Sequence, residues 1–483
     1  MVCQSHYNFL VIVIENSIKS RDQKTFLYSP SNNKLLTQSP DYMHITKRFG
    51  EIAASQFPLH YMLSMKTRLS PLSFALNSSH EELMPYHQLS GRLIWFLLLQ
   101  HGIWYINFFV QKGILLQKLT TSRAVILGVI GILFINIIAS SSLAAVRKWN
   151  YRLFFVVHLI LGVTLPPLLF FHAHHMRIYM VEALVLFIID IVCRKLDTVT
   201  GFATITKVPQ TKLIKLNVLL PESKLARFRA TPGQHVYISL PSESTPPHTS
   251  SPSVHDLLYN PFTVADVSET GITLVLRALK GPTTRALDSL TRLTKARPPI
   301  NIEGPYGSSK KFPSLATYDR ILLVAGGVGA TYILPIYRDL KDQLETEGRN
   351  SDSVRLVWSM RSGAETLWAT SNSAVSFEND ENIQLYFTRA VLDDHRDEIA
   401  PVDGSVELDT LPLVQEPTII PNGSHERPDL GKIVDEVFRH GLEERVAVLV
   451  CGPTKMAKEL RKHVGRWAGR GREVFWHDEG FGL

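Results

Sequence analysis

The chain has 483 residues, 45% of them hydrophobic, and a formal net charge of +7. The length suits a membrane domain plus two modest soluble domains, because the apolar residues concentrate before residue 196 and the remainder has the composition of soluble α/β protein. The basic excess lacks the stripe with interleaved aromatics that nucleic acid would need, and Cys3, Cys193 and Cys451 fall in no CxxC spacing, so neither a disulfide framework nor a zinc site is expected.

In chain order, residues 1–47 form a segment of uncertain role. Its run NFLVIVI is too short to span a bilayer and lacks a cleavage site, so no signal peptide is expected. Five membrane spans are predicted, at 51–67, 89–110, 123–145, 152–171 and 178–194, the first of them the least apolar. The basic flanks RKWNYR (147–152) and CRKLD (193–197) fall on one side of the membrane if the spans between them form an up-and-down pair. That side is then cytoplasmic, and the C-terminal half follows into the cytosol.

Two of these spans repeat one spacing. His87 and His101 stand fourteen residues apart in HQLSGRLIWFLLLQH, and His158 and His172 do the same in HLILGVTLPPLLFFH. Fourteen helical residues return a side chain to within about 40° of its starting direction and rise roughly 21 Å. Ionisable residues within the bilayer are functional candidates. The repeat predicts two His–His pairs, His87 with His158 near the inner face and His101 with His172 near the outer. Each pair would ligate one haem iron through neutral imidazole nitrogens. Gly91 and Gly162, one turn inward of the inner ligands, would leave room for a porphyrin, although small residues also serve plain helix packing. His174 and His175 break the spacing and are expected to be loop histidines.

Beyond residue 200 the chain turns to short β-rich runs. FATITKVPQTKLIKLNVLL alternates as antiparallel strands do. PGQHVYISLP, with His235, follows. SESTPPHTSSPS is expected to be a surface insertion, as is the polar stretch around 392–430. The runs continue through YNPFTVADV, GITLVLRALKGPTTRAL (with Arg277) and NIEGPYG (with Gly304), and together they resemble a six-stranded flavin-binding barrel. In NPFT, at Asn260, Pro261, Phe262 and Thr263, the threonine hydroxyl could bond an isoalloxazine ring and the phenyl ring could pack on it. At KGPTTRAL, Gly281 opens a helix whose first amides, with the hydroxyls of Thr283 and Thr284, would face a diphosphate; a Gly-Pro turn with a threonine cap is the competing reading.

Further on, LLVAGGVGAT runs a buried strand into a turn where Gly326, Gly327 and Gly329 permit close approach to a pyrophosphate, with Thr331 entering the next helix. VRLVWSMRS and VAVLVCGPTKM are further strands with small or polar ends, the profile of an open parallel sheet that binds at its carboxyl edge. Cys451, Gly452 and Pro453 would lie beside a nicotinamide, without nucleophilic chemistry for the thiol. Arg361 and Lys455 could contact a 2′-phosphate or serve as solvated surface charges.

From about Arg48 to the C-terminus, the order of the two His-x13-His pairs, PGQHVY, NPFT, RALKGPTTRAL, GPYG, AGGVGAT, CGP and the terminal EGFGL resembles the ferric reductase family, relatives of the NADPH oxidases. The resemblance implies a haem-binding transmembrane bundle over 48–196, an FAD-binding β-barrel over 197–312 and an α/β NAD(P)H-binding domain over 313–483, ferredoxin-reductase-like in their order. It also implies electron flow from cytosolic NADPH through FAD and two b-type haems to Fe(III) or Cu(II) chelates outside, siderophores among them. The chain would then be an integral protein in contact with membrane lipid, in the plasma membrane, with no nucleic-acid partner; whether an iron permease or oxidase accompanies it is left open. Three departures stand out. Asn260 replaces the histidine usual in the family, an N-terminal span is expected to be lacking, and the 392–430 stretch has no counterpart. An oxidase making superoxide, and a membrane paralogue without cofactors, are the rival readings.

Overall fold

A computed structural model describes residues 40–480 except 68, 242–243, 245–258, 280, 293–296, 308, 310–311, 371–379, 389–422, 425 and 442. The run NFLVIVI therefore lies outside the described residues, as do nearly all of the Ser/Pro-rich stretch, the bulk of the 392–430 stretch and the last three residues of EGFGL.

The N-terminal part is helical: α1 (Pro40–Ser55), α2 (Phe57–Ser64), α3 (His80–Gln111), α4 (Arg123–Ser141), α5 (Tyr151–His172) and α6 (Arg177–Asp197), with short helices between them. Helix α3 begins at a capping box, in which the Ser79 hydroxyl accepts from the Glu82 amide and the Glu82 carboxylate accepts from the Ser79 amide. Its 32 residues rise about 48 Å, more than the roughly 30 Å apolar core of a bilayer. Among the described residues, α3, α4 and α5 are long and apolar enough to cross a membrane. Their outer faces expose apolar side chains such as Phe96, Leu133 and Ile160, as a lipid-facing surface does.

One of the five predicted spans is corrected. Residues 51–67 do not form one helix: α1 ends at Ser55, α2 restarts with Pro58 in its first turn, and eight residues rise only about 12 Å. The segment 178–194 is helical within α6, which carries Glu182, Asp190, Arg194 and Lys195, more charges than the spanning stretches of α3, α4 and α5 hold. Its exposed face remains apolar (Val181, Val185, Ile188, Val192), whereas Asp190 is buried against protein.

The second part is a closed antiparallel barrel of β1 (Val199–Lys207), β2 (Leu213–Leu219), β3 (His235–Ser239), β4 (Asn260–Val267), β5 (Gly271–Arg277) and β6 (Pro299–Tyr306), in the order β1-β2-β5-β4-β3-β6. Inward side chains such as Ile214, Leu216, Val236, Ile238, Leu274 and Ile302 are fully buried, and α7 (Glu222–Arg229) and α8 (Pro282–Leu290) cover the barrel with Leu225, Phe228, Leu287 and Leu290. Closure leaves this sheet no free edge.

The third part is a parallel sheet of β7 (Arg320–Gly326), β8 (Val354–Met360), β9 (Ile383–Phe387), β10 (Gly423–Ser424), β11 (Val446–Cys451) and β12 (Val474–Glu479), in the order β10-β9-β8-β7-β11-β12. Helix α9 (Ala330–Thr346) covers one face; α10 (Leu430–Phe438) and α11 (Thr454–Ala468) cover the other. Strand order runs outward in opposite directions from β7, so the crevice between the carboxyl ends of β7 and β11 is the topological switch point.

Candidate functional site

The helical part brings the spaced histidines into two pairs. The His87 and His158 ring centres are 6.2 Å apart, and those of His101 and His172 are 6.3 Å apart. Two imidazoles held in line by one metal ion, at about 2.0 Å on each side, have ring centres roughly 6 Å apart. Every ring is also held at Nδ1. His87 donates to the carbonyl of His60 at 3.1 Å, His101 to that of Thr46 at 2.8 Å and His172 to that of Ala124 at 2.7 Å; His158 Nδ1 lies 3.2 Å from Ser142 Oγ. A ring that donates through Nδ1 keeps Nε2 as its lone-pair nitrogen, the arrangement a metal-binding imidazole needs. The residues present therefore fit two bis-imidazole haem sites.

Sequence reasoning missed three neighbours of these pairs. His60 stacks on His87, with ring centres 4.0 Å apart, and its Nδ1 lies 2.7 Å from Ser90 Oγ. A Cβ at Gly50 would stand 2.8 Å from the His101 ring, and one at Gly128 would stand 2.8 Å from the His172 ring, so both ligands of the outer pair rest on bare helix backbone. The glycines it did select differ: a Cβ at Gly91 would meet His60 at 3.1 Å, whereas Gly162 faces open space. His60 had a signal, a lone imidazole in an apolar run; Gly50 and Gly128 had none before their neighbours were known.

In the barrel, β3 and β4 pair so that His235 is opposite Thr263 and Tyr237 is opposite Pro261. Thr263 is 5% exposed, and its hydroxyl has no partner among the described residues, the state expected of a group that bonds a ligand. The Asn260 amide donates to the Thr283 hydroxyl at 2.8 Å, tying NPFT to the first turn of α8. The Thr284 hydroxyl donates to Leu279 O at 2.8 Å and so fastens its own turn. The Thr283 hydroxyl accepts from Asn260 and keeps its own proton to donate, so it and the backbone amides after Pro282 are the groups at this helix start suited to an anion. Gly304 has φ +134°, a conformation that favours glycine. Gly233 of PGQHVY has φ +69° and lies against Tyr332 and Ile336 of α9, which seats the barrel on the sheet domain.

At the switch point the two predicted turns touch. A Cβ at Gly329 would stand 2.1 Å from Cys451 O, one at Gly326 would stand 2.5 Å from Pro453 Cδ, and the same atom on Gly452 would be 3.0 Å from Gly326 Cα. Gly327 has φ +54° and lies beside the Arg277 guanidinium, which donates to Glu365 Oε1 at 3.1 Å and so links the end of β5 to the sheet domain. The other Glu365 oxygen is buried with no partner among the described residues. Thr331 is buried, its hydroxyl donating to Val328 O at 2.9 Å. Burial, with Glu479 and Asp478 nearby, pushes the Cys451 thiol up and keeps it protonated, which agrees with a packing role. Arg361 follows β8 and Lys455 lies in the first turn of α11, both exposed at the carboxyl edge.

Comparison with known proteins agrees with this division. Residues 49–181 match a family model described as ferric reductase like transmembrane component, 202–310 an FAD-binding domain, and 318–465 a ferric reductase NAD binding domain. The chain is similar to the ferric/cupric reductase transmembrane component 2 of Schizosaccharomyces pombe, 22% identical over 94% of this chain and 84% of that one. The ferric reductase transmembrane component 3 of Saccharomyces cerevisiae is 26% identical over 86% of this chain and 58% of its own length. A probable metalloreductase of Scheffersomyces stipitis is 22% identical over 91% and 81%.

Proposed function

The chain belongs to the ferric reductase family, an integral membrane group with FAD- and NAD-binding domains, and from that premise we propose that it is a transmembrane reductase of ferric or cupric chelates. In this reading the nicotinamide and flavin sites would together supply the conversion of a hydride into single electrons, and the two histidine pairs would hold the b-type haems that supply one-electron relay across the membrane. The bundle occupies residues 48–196, the flavin barrel 197–312 and the nicotinamide domain 313–483, with the soluble part in the cytosol and the bundle in the plasma membrane.

Each set of residues has a defined task. His87 with His158 would hold the inner haem and His101 with His172 the outer, while the carbonyls of His60, Thr46 and Ala124 fix the ring tautomers. The Thr263 hydroxyl, packed near Phe262 and opposite His235, would bond the flavin ring, and the amides after Pro282 would receive its diphosphate. Gly326, Gly327 and Gly329 would admit the nicotinamide nucleotide beside Cys451, Gly452 and Pro453, with exposed Arg361 available to a 2′-phosphate. Both histidines of each pair would be taken up in holding a haem, so the metal chelate would not need to bind at the outer site.

The observation that carries the proposal is the pair of 6 Å imidazole facings, each ring locked at Nδ1. A reduced-minus-oxidised visible spectrum of the purified protein, with NADPH as reductant and FAD added, tests it. Two b-type haems per chain that become reduced by NADPH are expected, followed by faster reoxidation with ferric chelate than with oxygen. Haem that NADPH cannot reduce would locate the failure in the flavin pocket around Asn260, and a chain that binds no haem ends the reductase reading.

A further inference from the structure

The flavin barrel meets the helical bundle through buried charge. Arg194 near the end of α6 makes a two-pronged contact with Glu303 of β6, Nε to Oε1 at 2.8 Å and Nη2 to Oε2 at 3.0 Å. Glu303 is 2% exposed and also accepts from the Tyr306 hydroxyl at 2.8 Å. On the bundle side, Asp190 lies 3.5 Å from Arg194 and accepts from the amides of Lys66 and Thr67, both at 2.8 Å. The Lys66 ammonium sits 4.1 Å above the ring of Tyr237 on β3. Beside it, Glu81 in the first turn of α3 lies 3.3 Å from His235 Nε2.

These groups lie between the two halves of the proposed electron path. His235 and Tyr237 lie on β3 opposite Thr263 and Pro261 of the flavin pocket. Glu81 is six residues from His87 on the same helix, and Tyr61, from the α2 segment before Lys66, donates to Gly162 O of α5. Removing two acids and two bases from water is costly unless each is paired, so the contact has one well-defined seating. A loose hydrophobic contact would permit sliding.

We propose that Arg194 and Glu303, with Asp190, Lys66, Glu81 and His235 around them, form an ionic latch that seats the flavin barrel on the inner end of the bundle. The latch sets the gap that an electron crosses between the flavin pocket and the inner histidine pair. Arg194 and Glu303 are positioning residues: they touch neither cofactor site, and they act on passage between the two halves without acting on hydride delivery. This inference rests on the electron path proposed above.

The test uses the full-length holoenzyme carrying E303Q, R194Q or both, each checked for flavin and haem content. Haem reduction by NADPH is followed anaerobically by stopped flow, and dye reduction by NADPH is measured in parallel. Small misplacements of reacting groups can cost about a hundredfold in rate. Each single variant is expected to reduce haem at least tenfold more slowly with dye turnover within twofold, and the double variant to be no slower than the worse single. Hydrogen exchange should show β3, β6 and the first turn of α3 losing protection together. Haem reduction within twofold of the parent in both single variants overturns the latch, as does an equal fall in dye turnover. If E303Q fails to assemble, R194K, which keeps the charge without the two-pronged contact, takes its place, and an unchanged haem reduction rate in it has the same meaning. A parent protein whose haem NADPH cannot reduce instead ends the electron path itself.

Discussion

The helical and soluble halves build their sites by opposite means. In the bundle the chemistry rests on side chains: four imidazoles at a repeated spacing, each held by one hydrogen bond at Nδ1. In the soluble half it rests largely on backbone, where turns at strand ends come so close that a Cβ at Gly329 would stand 2.1 Å from a carbonyl oxygen. The lesson is that deletion of a side chain breaks the first kind of site and addition of one breaks the second.

The largest effect is expected in the bundle. His101→Ala removes half of the outer pair, leaving His172 without a facing imidazole. The variant should hold one haem per chain, and its reduction of ferric chelate should fall more than a hundredfold while NADPH-driven dye reduction persists. Pyridine haemochrome content and the two rates check this; chelate reduction that survives would mean the outer pair is not on the path.

The same logic inverts at the switch point. Gly329→Ala places a methyl carbon against Cys451 O; the carbon is fixed to its Cα and the oxygen belongs to backbone, so neither can swing away. Overpacking of this kind costs about 1–3 kcal/mol, and NADPH-driven dye reduction should fall at least tenfold. Gly465→Ala on α11 is the matched control, since among the described residues no atom outside its own turn lies within 4 Å of the added one. Equal behaviour of the two variants would remove close approach as the reason for the glycine-rich turn.

The same contrast explains what the sequence made legible. The histidine pairs could be read because helical periodicity turns a spacing of fourteen into a shared face, and the turns could be read because Gly326, Gly327 and Gly329 directly follow a buried run. Segment 51–67 misled because its composition is apolar enough for a span, while Pro58 divides it into pieces too short to cross. At the start of α8 a diphosphate site and a Gly-Pro turn with a threonine cap were both readable; the Thr284 hydroxyl caps its own turn through the Leu279 carbonyl, and the Thr283 hydroxyl accepts from Asn260, 23 residues away. The Asn260 partner is not local enough to be read from one chain. Glu303 was invisible for the same reason: it lies 109 residues after Arg194, so only the docked fold joins it to the Asp190–Arg194 pair that α6 already sets one turn apart.

The smallest expected effect lies where the two halves meet. Burial, and then the neighbouring Arg194, lower the Lys66 ammonium from 10.5 to about 8, with Glu303, Asp190 and Glu81 opposing the shift. The depressed value means that the folded state holds the proton less tightly than the unfolded state does. Below about pH 8 both states are protonated and the cost of burying the charge is fully present. Between about 8 and 10.5 the unfolded state binds more protons, so stability rises with pH across that window. Tyr237 and Tyr306, pushed up by burial, stay protonated in the folded state and so oppose the trend as unfolded tyrosines begin to ionise toward pH 10, a contribution that a Lys66→Met comparison cancels because both proteins share it. Thermal unfolding in detergent at pH 7.5 and pH 9.5 should show the parent gaining relative to Lys66→Met, which has no ammonium to bury. If the difference between the two proteins is flat with pH, Lys66 keeps its charge at no cost, and the junction is as well solvated as an ordinary surface.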